Sequence, residues 1–220
     1  MVATLRAVQK VLRFFVWLAI VVGALIGILR ATALRWWQVP SNDPELAASL
    51  APTLRGGDWV ILWRLTKPGL GSLVVCPDPD DPTAVVMGRI VATQNHTVSL
   101  LGADAKVDGV APPIEYNCTN LKLTVVNPDT LKPVELSCDM EEIGGRLHER
   151  AHGKPEGVPR AFEKTVGPGQ MFLLSDNRVH PFDSRHFGTL PVESCRESVV
   201  FRLVSSEGFF DVENRLDYIR

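Results

Sequence analysis

The chain has 220 residues, with 23 lysines and arginines against 25 aspartates and glutamates, so its formal net charge is −2. This near-neutral balance argues against a protein built to neutralise nucleic acid. The 17 glycines and 16 prolines argue against a helical bundle or coiled coil and favour short strands separated by turns. The length suits one domain with a sizeable core and, at most, a small second lobe.

The net charge hides an asymmetry along the chain. Residues 1–40 contain five basic residues and no acid, whereas residues 41–220 carry a formal charge of −7. The basic residues surround the most apolar run of the sequence; they are Arg6, Lys10, Arg13, Arg30 and Arg35. This split predicts a basic membrane anchor followed by an acidic body.

The N-terminal apolar run predicts one transmembrane helix over about residues 11–34. Residues 14–29 (FFVWLAIVVGALIGIL) contain no charge, and the flanking apolar residues bring the run to the length that a span needs. Trp36 and Trp37 follow, and tryptophan suits the membrane interface. The basic residues before the run favour placing the N-terminus on the positive side of the membrane.

A cleaved signal peptide is the alternative for this segment. Ala31, Thr32 and Ala33 form a small-residue cleavage site. Arg30 lies inside that site and a Trp-Trp pair follows it, so the uncleaved anchor is the preferred interpretation.

Beyond residue 40 the sequence predicts a mainly β body. Short runs rich in Val, Ile and Leu, most of them bounded by Gly, Pro, Asp or Asn, indicate strands; they are 59–62, 73–75, 85–87, 89–92, 121–126, 171–174 and 198–204. Helices are predicted only at 46–51 and 140–150. The resulting division is an anchor at 1–37, a β core at 38–102 and 166–205, an insertion or second lobe at 103–165, and a tail at 206–220.

The four cysteines are Cys76, Cys118, Cys138 and Cys195. No Cys-x-x-Cys motif and no histidine at a zinc-ligand spacing accompanies them, so neither a metal nor an organic cofactor is predicted. Cys118 and Cys138 would pair across the insertion if that region faces an oxidising compartment. Free buried thiols are the preferred interpretation.

Two motifs are specific enough to suggest a family. Residues 49–54 (SLAPTL) are followed by Gly57-Asp58, and residues 175–178 (SDNR) are followed by 183–188 (DSRHFG). They resemble the nucleophile box and the last conserved box of type I signal peptidases, most closely the mitochondrial inner membrane peptidase branch. In that family, as here, a membrane anchor precedes the nucleophile box.

The resemblance implies a signal-peptidase-like β-sheet fold, a pseudo-barrel, with one N-terminal transmembrane helix. It also implies a Ser-Lys dyad in which Ser49 is the nucleophile and its backbone N–H contributes to an oxyanion hole. The register places Gly88 at the position of the lysine base and Pro181 at the position of the serine that orients the lysine. Glycine has no side chain and cannot accept the serine proton.

The resemblance also supports two charge pairs beneath the site, Arg89 with Asp176 and Asp183 with Arg185. Charged side chains in otherwise apolar strands are rarely buried alone. Other bases for Ser49 remain open, and four side chains are candidates: Lys67, Lys164, His180 and His186.

Two functions follow, and the first is preferred. The chain is a catalytically degenerate member, a pseudoenzyme subunit beside an active peptidase paralogue or within a larger inner-membrane complex. Its partner-specific parts would be residues 103–165 and the tail, which could dock through Phe209, Phe210, Leu216, Tyr218 and Ile219. The alternative is an active serine endopeptidase that removes sorting or signal peptides from precursors with Ser49 and a non-standard base.

The expected location is the mitochondrial inner membrane. The chain would cross it once, with the soluble body on the intermembrane-space side. The expected partners are the membrane itself and protein, with no nucleic acid.

Overall fold

A computed structural model describes residues 2–154 and 159–219 of the chain. The helices are α1 (Val2–Thr32), α2 (Pro44–Leu50) and α3 (Ser184–Phe187). The strands are β1 (Leu34–Gln38), β2 (Trp59–Trp63), β3 (Leu73–Pro77), β4 (Val85–Thr93), β5 (Thr97–Leu101), β6 (Asp104–Val107), β7 (Ile114–Val126), β8 (Pro133–Ile143), β9 (Arg146–His152), β10 (Ala161–Thr165), β11 (Gln170–Leu174), β12 (Leu190–Pro191), β13 (Glu197–Val204) and β14 (Asp217–Tyr218). The mainly β prediction is confirmed.

The N-terminal helix carries the segment long and apolar enough to cross a membrane. Within α1, Leu12–Thr32 spans 21 residues and its apolar window is not buried in the fold, and at 1.5 Å per residue it is about 31 Å long. The chain passes almost directly from α1 into β1. The Arg30 guanidinium lies 4.6 Å from the centre of the Trp36 ring, which places a cation and an aromatic ring together at the end of the apolar segment.

The main sheet has the strand order β1-β2-β13-β3-β4-β11-β12, and β14 pairs with β13. Neighbouring strands run antiparallel. Strand β13, which comes late in the chain, lies between β2 and β3. The predicted strands at 59–62, 73–75, 171–174 and 198–204 are confirmed, and the two predicted at 85–87 and 89–92 form the single strand β4.

Two smaller sheets lie outside the main one, in the orders β10-β5-β6 and β7-β8-β9. The first joins β5 with β10 in antiparallel register. The boundary expected between residues 102 and 103 therefore separates β5 from its neighbours β6 and β10 in the same sheet. The second sheet is a three-stranded meander.

The helix predicted at 140–150 is wrong. This segment consists of the end of β8, a turn and the start of β9. Gly144 and Gly145 have φ angles of 60° and 77°, a left-handed conformation that glycine adopts without the Cβ penalty of other residues. The turn reverses the chain, and the apolar residues on either side of it pack as strand residues.

The largest apolar cluster packs α2 onto the main sheet. Leu46, Leu50 and Leu54 belong to one buried apolar cluster with Met87 of β4 and other residues of the sheet. Burying each leucine side chain contributes about 1.5–3 kcal/mol. Ile219 joins the same cluster. The tail is therefore attached to the core at its end, whereas Phe209 and Phe210 are exposed.

The four cysteines form two disulfides, Cys76–Cys195 and Cys118–Cys138. The preference for free thiols is therefore wrong. Cys76 ends up beside Cys195 because β13 folds back next to β3, a contact between residues 119 positions apart. The other pair links the neighbouring strands β7 and β8, and the sequence spacing alone could not establish either pairing.

Candidate active site

The short helix α2 presents Ser49 in its last turn. Asp43 caps the helix by accepting a hydrogen bond from the Leu46 backbone N–H at 2.9 Å, and Pro44 occupies the first turn, where its missing N–H costs nothing. Ser49 is fully buried. Its hydroxyl donates to the Leu46 carbonyl oxygen at 2.8 Å.

The last box holds the end of this helix in place. The Asn177 side-chain amide donates to the Ala48 carbonyl at 2.8 Å, and the Asn177 backbone N–H donates to the Ser49 carbonyl at 3.0 Å. Both carbonyls belong to the last turn of a helix, where intrahelical donors run out. The two boxes predicted from the sequence are therefore joined by direct hydrogen bonds.

Within the part of the chain that the structure describes, no lysine or histidine nitrogen is hydrogen-bonded to the Ser49 hydroxyl. Lys67 lies on the surface with 80% of its side chain exposed, and Lys164 is exposed on β10. His180 and His186 line a separate cavity. None of the four candidate bases is hydrogen-bonded to the Ser49 hydroxyl.

Gly88 lies in β4 against strand β11. A Cβ added at this residue would lie 3.0 Å from the Leu173 Cβ and 3.4 Å from the Leu174 carbonyl oxygen. Both distances are shorter than those of most real Cβ contacts. A side chain at residue 88 would therefore require β11 to shift by a few tenths of an ångström. The space beside residue 88 is occupied by Leu173.

Arg89 and Asp176 form a buried bidentate pair. The Arg89 Nε and Nη2 atoms donate to the two Asp176 carboxylate oxygens at 2.9 and 2.8 Å, and Arg89 Nη1 donates to the Gly71 carbonyl at 2.7 Å. The Thr53 hydroxyl adds a third donor to Asp176 at 2.5 Å. Burial alone would raise the pKa of Asp176, but the Arg89 charge and these hydrogen bonds lower it to about 2.

The second charge pair organises the end of the last box. Arg185 donates to both oxygens of Asp183 at 2.9 and 2.8 Å, and Asp183 also accepts from the Ser175 N–H at 2.9 Å. Burial would raise the pKa of Asp183, but the Arg185 hydrogen bonds and charge lower it. Pro181 lies beside His180 on the wall of the separate cavity.

A third group of buried charges was not predicted from the sequence. Glu141 forms an ion pair with Arg178, and His148 Nε2 lies 3.2 Å from a Glu141 oxygen. Asp139 accepts hydrogen bonds from Arg150 at 2.8 and 2.6 Å. These residues lie on β8, β9 and the last box, so the misread helix at 140–150 concealed most of them. No clear period-2 pattern marks these strands in the sequence, because Glu142 follows Glu141 directly and Glu149 lies between His148 and Arg150.

The environment of His148 keeps its imidazole neutral near pH 7. Burial lowers the pKa of His148, and the Arg89 charge lowers it further, against the opposing influence of Glu141 and Asp176. Burial would raise the pKa of Glu141, but Arg178 and His148 lower it. The cluster is therefore an anionic carboxylate held by an arginine beside a neutral histidine.

A cavity of about 740 Å³ lies between α2 and strand β7. Its wall includes Ala47, Ala48, Pro52 and Glu149. Burial and the nearby charge of Asp217 raise the pKa of Glu149. Ser49 does not line this cavity, so the space beside the helix does not open onto the serine hydroxyl.

Comparison with known proteins places this arrangement in a family. A family model described as signal peptidase, peptidase S26, matches residues 10–204. Among solved structures, the chain is similar to the crystal structure of a signal peptidase I from Enterococcus faecalis, with 20% sequence identity, coverage of 60% of this chain and 97% of that one, and a TM-score of 0.35. The curated proteins compared with it include no match. Because the family model spans most of its length, the chain belongs to the signal peptidase family, peptidase S26.

Proposed function

We propose that this signal peptidase family member is a membrane-anchored pseudoenzyme, a subunit of a larger membrane complex rather than a working peptidase. The observation that carries the proposal is the state of Ser49. Its hydroxyl is buried, donates to a helix carbonyl and has no described lysine or histidine nitrogen as a partner. A serine in this state is not activated for attack on a peptide bond.

The surroundings of Gly88 support the same proposal. The resemblance aligns Gly88 with the lysine of the Ser-Lys dyad and Pro181 with the serine that orients it. Leu173 fills the space that a side chain at 88 would enter. On that alignment residue 88 offers no side chain to act as the base, and the close approach of β11 supports the proposal that the position does not hold one.

The framework that holds the two boxes is present without the base. Arg89 with Asp176, and Asp183 with Arg185, form pairs beneath the boxes, and Asn177 ties the last box to α2. We assign these residues a structural role. They keep the peptidase-like surface in shape, and a partner could use that surface.

The edge of β4 offers such a partner a place to bind. Strand β11 pairs with residues 89–93 of β4, whereas residues 85–88 pair, within the described part of the chain, only through β3. An extended segment can add to an open strand edge through backbone hydrogen bonds. The proposed occupant is a segment of an active peptidase paralogue or of another subunit of the complex.

We further infer that the complex lies in the mitochondrial inner membrane with the body on the intermembrane-space side. The residues before the span are basic and contain no acid, so they favour the side of the membrane that retains positive charge. That side is opposite to the one on which the body lies. Two disulfides in the body fit a compartment in which such bonds persist. The resemblance to the inner membrane peptidase branch supplies the organelle.

The test measures serine reactivity and peptide cleavage together. Full-length protein in detergent micelles is incubated with a fluorophosphonate probe and with a pool of precursor peptides, in parallel with Ser49→Ala. We expect no labelling and no cleavage above the Ser49→Ala background. Labelling or cleavage that disappears in Ser49→Ala would overturn the proposal and establish the active endopeptidase with a non-standard base.

A converse experiment rebuilds the missing groups. Gly88→Lys and Pro181→Ser are introduced together with Leu173→Gly, which removes the Cβ that a side chain at residue 88 would meet at 3.0 Å. Cleavage that then depends on Ser49 would show that the base alone separates this chain from an active peptidase. Gly88→Lys with Pro181→Ser but without Leu173→Gly is the matched control and is expected to stay inactive.

A further inference from the structure

Three side chains that could ligate a metal ion lie together on the sheet β7-β8-β9. They are Cys118 of β7, Cys138 of β8 and Glu149 of β9, and the two sulfur atoms and a Glu149 carboxylate oxygen all lie within 4.8 Å of one another. Glu149 is paired with Met140, so its side chain lies on the same face of the sheet as that of Cys138, one diagonal step away. Because the three residues come from three strands, no ligand spacing marks them in the sequence.

This face of the sheet borders the cavity of about 740 Å³ beside α2, and Cys138 and Glu149 belong to the lining of that cavity. Cys118 and Cys138 are 6% and 3% exposed, and Glu149 is half-buried. The sulfur atoms are thus shielded from bulk solvent. The cavity leaves room beside them for a small ion and a water molecule.

The Glu149 carboxylate makes no hydrogen bond and no ion pair with any residue that the structure describes. The two cationic side chains of the cavity lining are bound to other acids. Arg55 pairs with Glu207 at 2.6 Å, and Lys122 pairs with Glu135 at 2.5 Å. Partly buried carboxylates are normally paired, and a metal ion would supply the compensating charge.

The electrostatic surroundings of Glu149 also favour a cation. Burial and the charge of Asp217 raise the pKa of Glu149. Arg202 opposes them, but Arg202 is itself hydrogen-bonded to Asp217 at 3.1 Å. A divalent cation at the carboxylate oxygen would offset both the burial and the Asp217 charge.

We propose that, when the Cys118–Cys138 disulfide is reduced, the two thiolates and the Glu149 carboxylate bind one Zn²⁺ ion. Thiolate sulfur and carboxylate oxygen are both zinc ligands, and three protein ligands with a water molecule complete a tetrahedral site. The water comes from the cavity. A sulfur atom bound in the disulfide is not a thiolate, so the redox state of this one pair decides whether the chain holds the metal.

The conversion between the two states balances with a thiol reductant. Two thiols of the reductant transfer two electrons and two protons to the disulfide and become a disulfide themselves, which leaves Cys118 and Cys138 as thiols. Zn²⁺ then displaces both thiol protons, which pass to solvent. Oxidation by another disulfide reverses the exchange and releases the metal.

The test is a titration of the full-length protein in detergent micelles with Co²⁺, which reports its coordination by its absorption spectrum. One sample is reduced with dithiothreitol, which is removed by gel filtration under argon, and the other is left oxidised. We expect the reduced protein to bind one Co²⁺ per chain, with the visible bands of tetrahedral coordination and a near-ultraviolet thiolate-to-metal band, and Zn²⁺ to displace the Co²⁺. The oxidised protein should show neither spectral feature.

Variants assign the metal to these three residues. Glu149→Gln keeps both thiols and is expected to weaken Co²⁺ binding at least about tenfold. Cys118→Ser with Cys138→Ser should abolish the thiolate-to-metal band. The matched control is Cys76→Ser with Cys195→Ser, because that pair is also a disulfide but has no third ligand beside it among the described residues. In the reduced protein this replacement removes no bond, and metal binding should stay unchanged.

The proposal is overturned if the reduced protein shows no thiolate-to-metal band, or if the oxidised protein binds Co²⁺ equally well. It is also overturned if Glu149→Gln binds Co²⁺ as tightly as the wild type. A chain loosened by reduction would capture Co²⁺ through its thiols whatever stands at residue 149, and that outcome therefore counts against the site. These results do not depend on whether Ser49 is reactive.

Discussion

Replacing Asp176 by asparagine removes the charge at the centre of the paired boxes. The carboxylate accepts two hydrogen bonds from Arg89 and one from Thr53, and both members of the ion pair are 1% exposed. Asparagine keeps the volume, but the buried Arg89 guanidinium loses the negative charge that compensates it. Breaking a buried pair from one side costs about 3–5 kcal/mol, a large part of the roughly 5–15 kcal/mol by which domains are stable.

Urea unfolding followed by tryptophan fluorescence measures this loss. With a slope near 2 kcal/mol per molar urea, the midpoint of Asp176→Asn is expected to fall by about 2 M. Glu135→Gln is the matched control, since it breaks the exposed pair with Lys122, whose side chains are 63% and 68% exposed; it should change stability by less than about 0.5 kcal/mol. Equal midpoints for the two variants would refute the assignment of Arg89 and Asp176 as a structural pair.

Three further predictions concern pH, the second disulfide and the packing at Gly88. The pKa of Asp176 is about 2 in the fold against 3.8 for the ordinary side chain. Its contribution of about 2 kcal/mol to the free energy of unfolding is therefore complete above pH 3.8 and is lost as the pH falls towards 2. Over that pH interval the urea midpoint should drop more steeply in the wild type than in Asp176→Asn, and parallel curves would contradict this. Cys118→Ser with Cys138→Ser opens a link across 20 residues and should lower the free energy of unfolding by about 3 kcal/mol, whereas an unchanged midpoint would show that the link adds nothing. Gly88→Ala places a methyl group 3.0 Å from the Leu173 Cβ and should cost about 1 kcal/mol, or roughly 2–4 °C in Tm; a Tm equal to that of the wild type would show that β11 yields freely.

The elements that the sequence predicted are those whose signal is local. The apolar helix and the strands with Val, Ile and Leu runs need no information from distant residues. Residues 140–150 were misread because Met140, Ile143 and Leu147 have a helix-like spacing, whereas the Gly144-Gly145 turn places the first two and the third on different strands. Paired glycines favour a turn over a continuous helix, and the turn forms here.

The sequence predicted those site residues that lie in recognisable motifs. It did not predict the residues that only the strand topology brings to the site. The SLAPTL and SDNR motifs indicated Ser49, Asp176 and their neighbours, and the structure brings these together through Asn177. The cluster around Glu141 and the cavity at His180 arise because the β7-β8-β9 sheet and β10 pack against the last box. Contacts of that kind join distant segments and leave no local pattern in the sequence.

The position of β13 has a consequence for how the protein is made. Cys76 and Cys195 are 119 positions apart, so at 5–20 residues per second the second cysteine is synthesised roughly 6–24 s after the first. Throughout that delay β2 and β3 have no strand between them and expose open edges, which attract other strands. A chain that stops before residue 197 is therefore not a smaller version of the domain. It is two incomplete half-sheets on a membrane tether, and quality-control proteases would be expected to remove it.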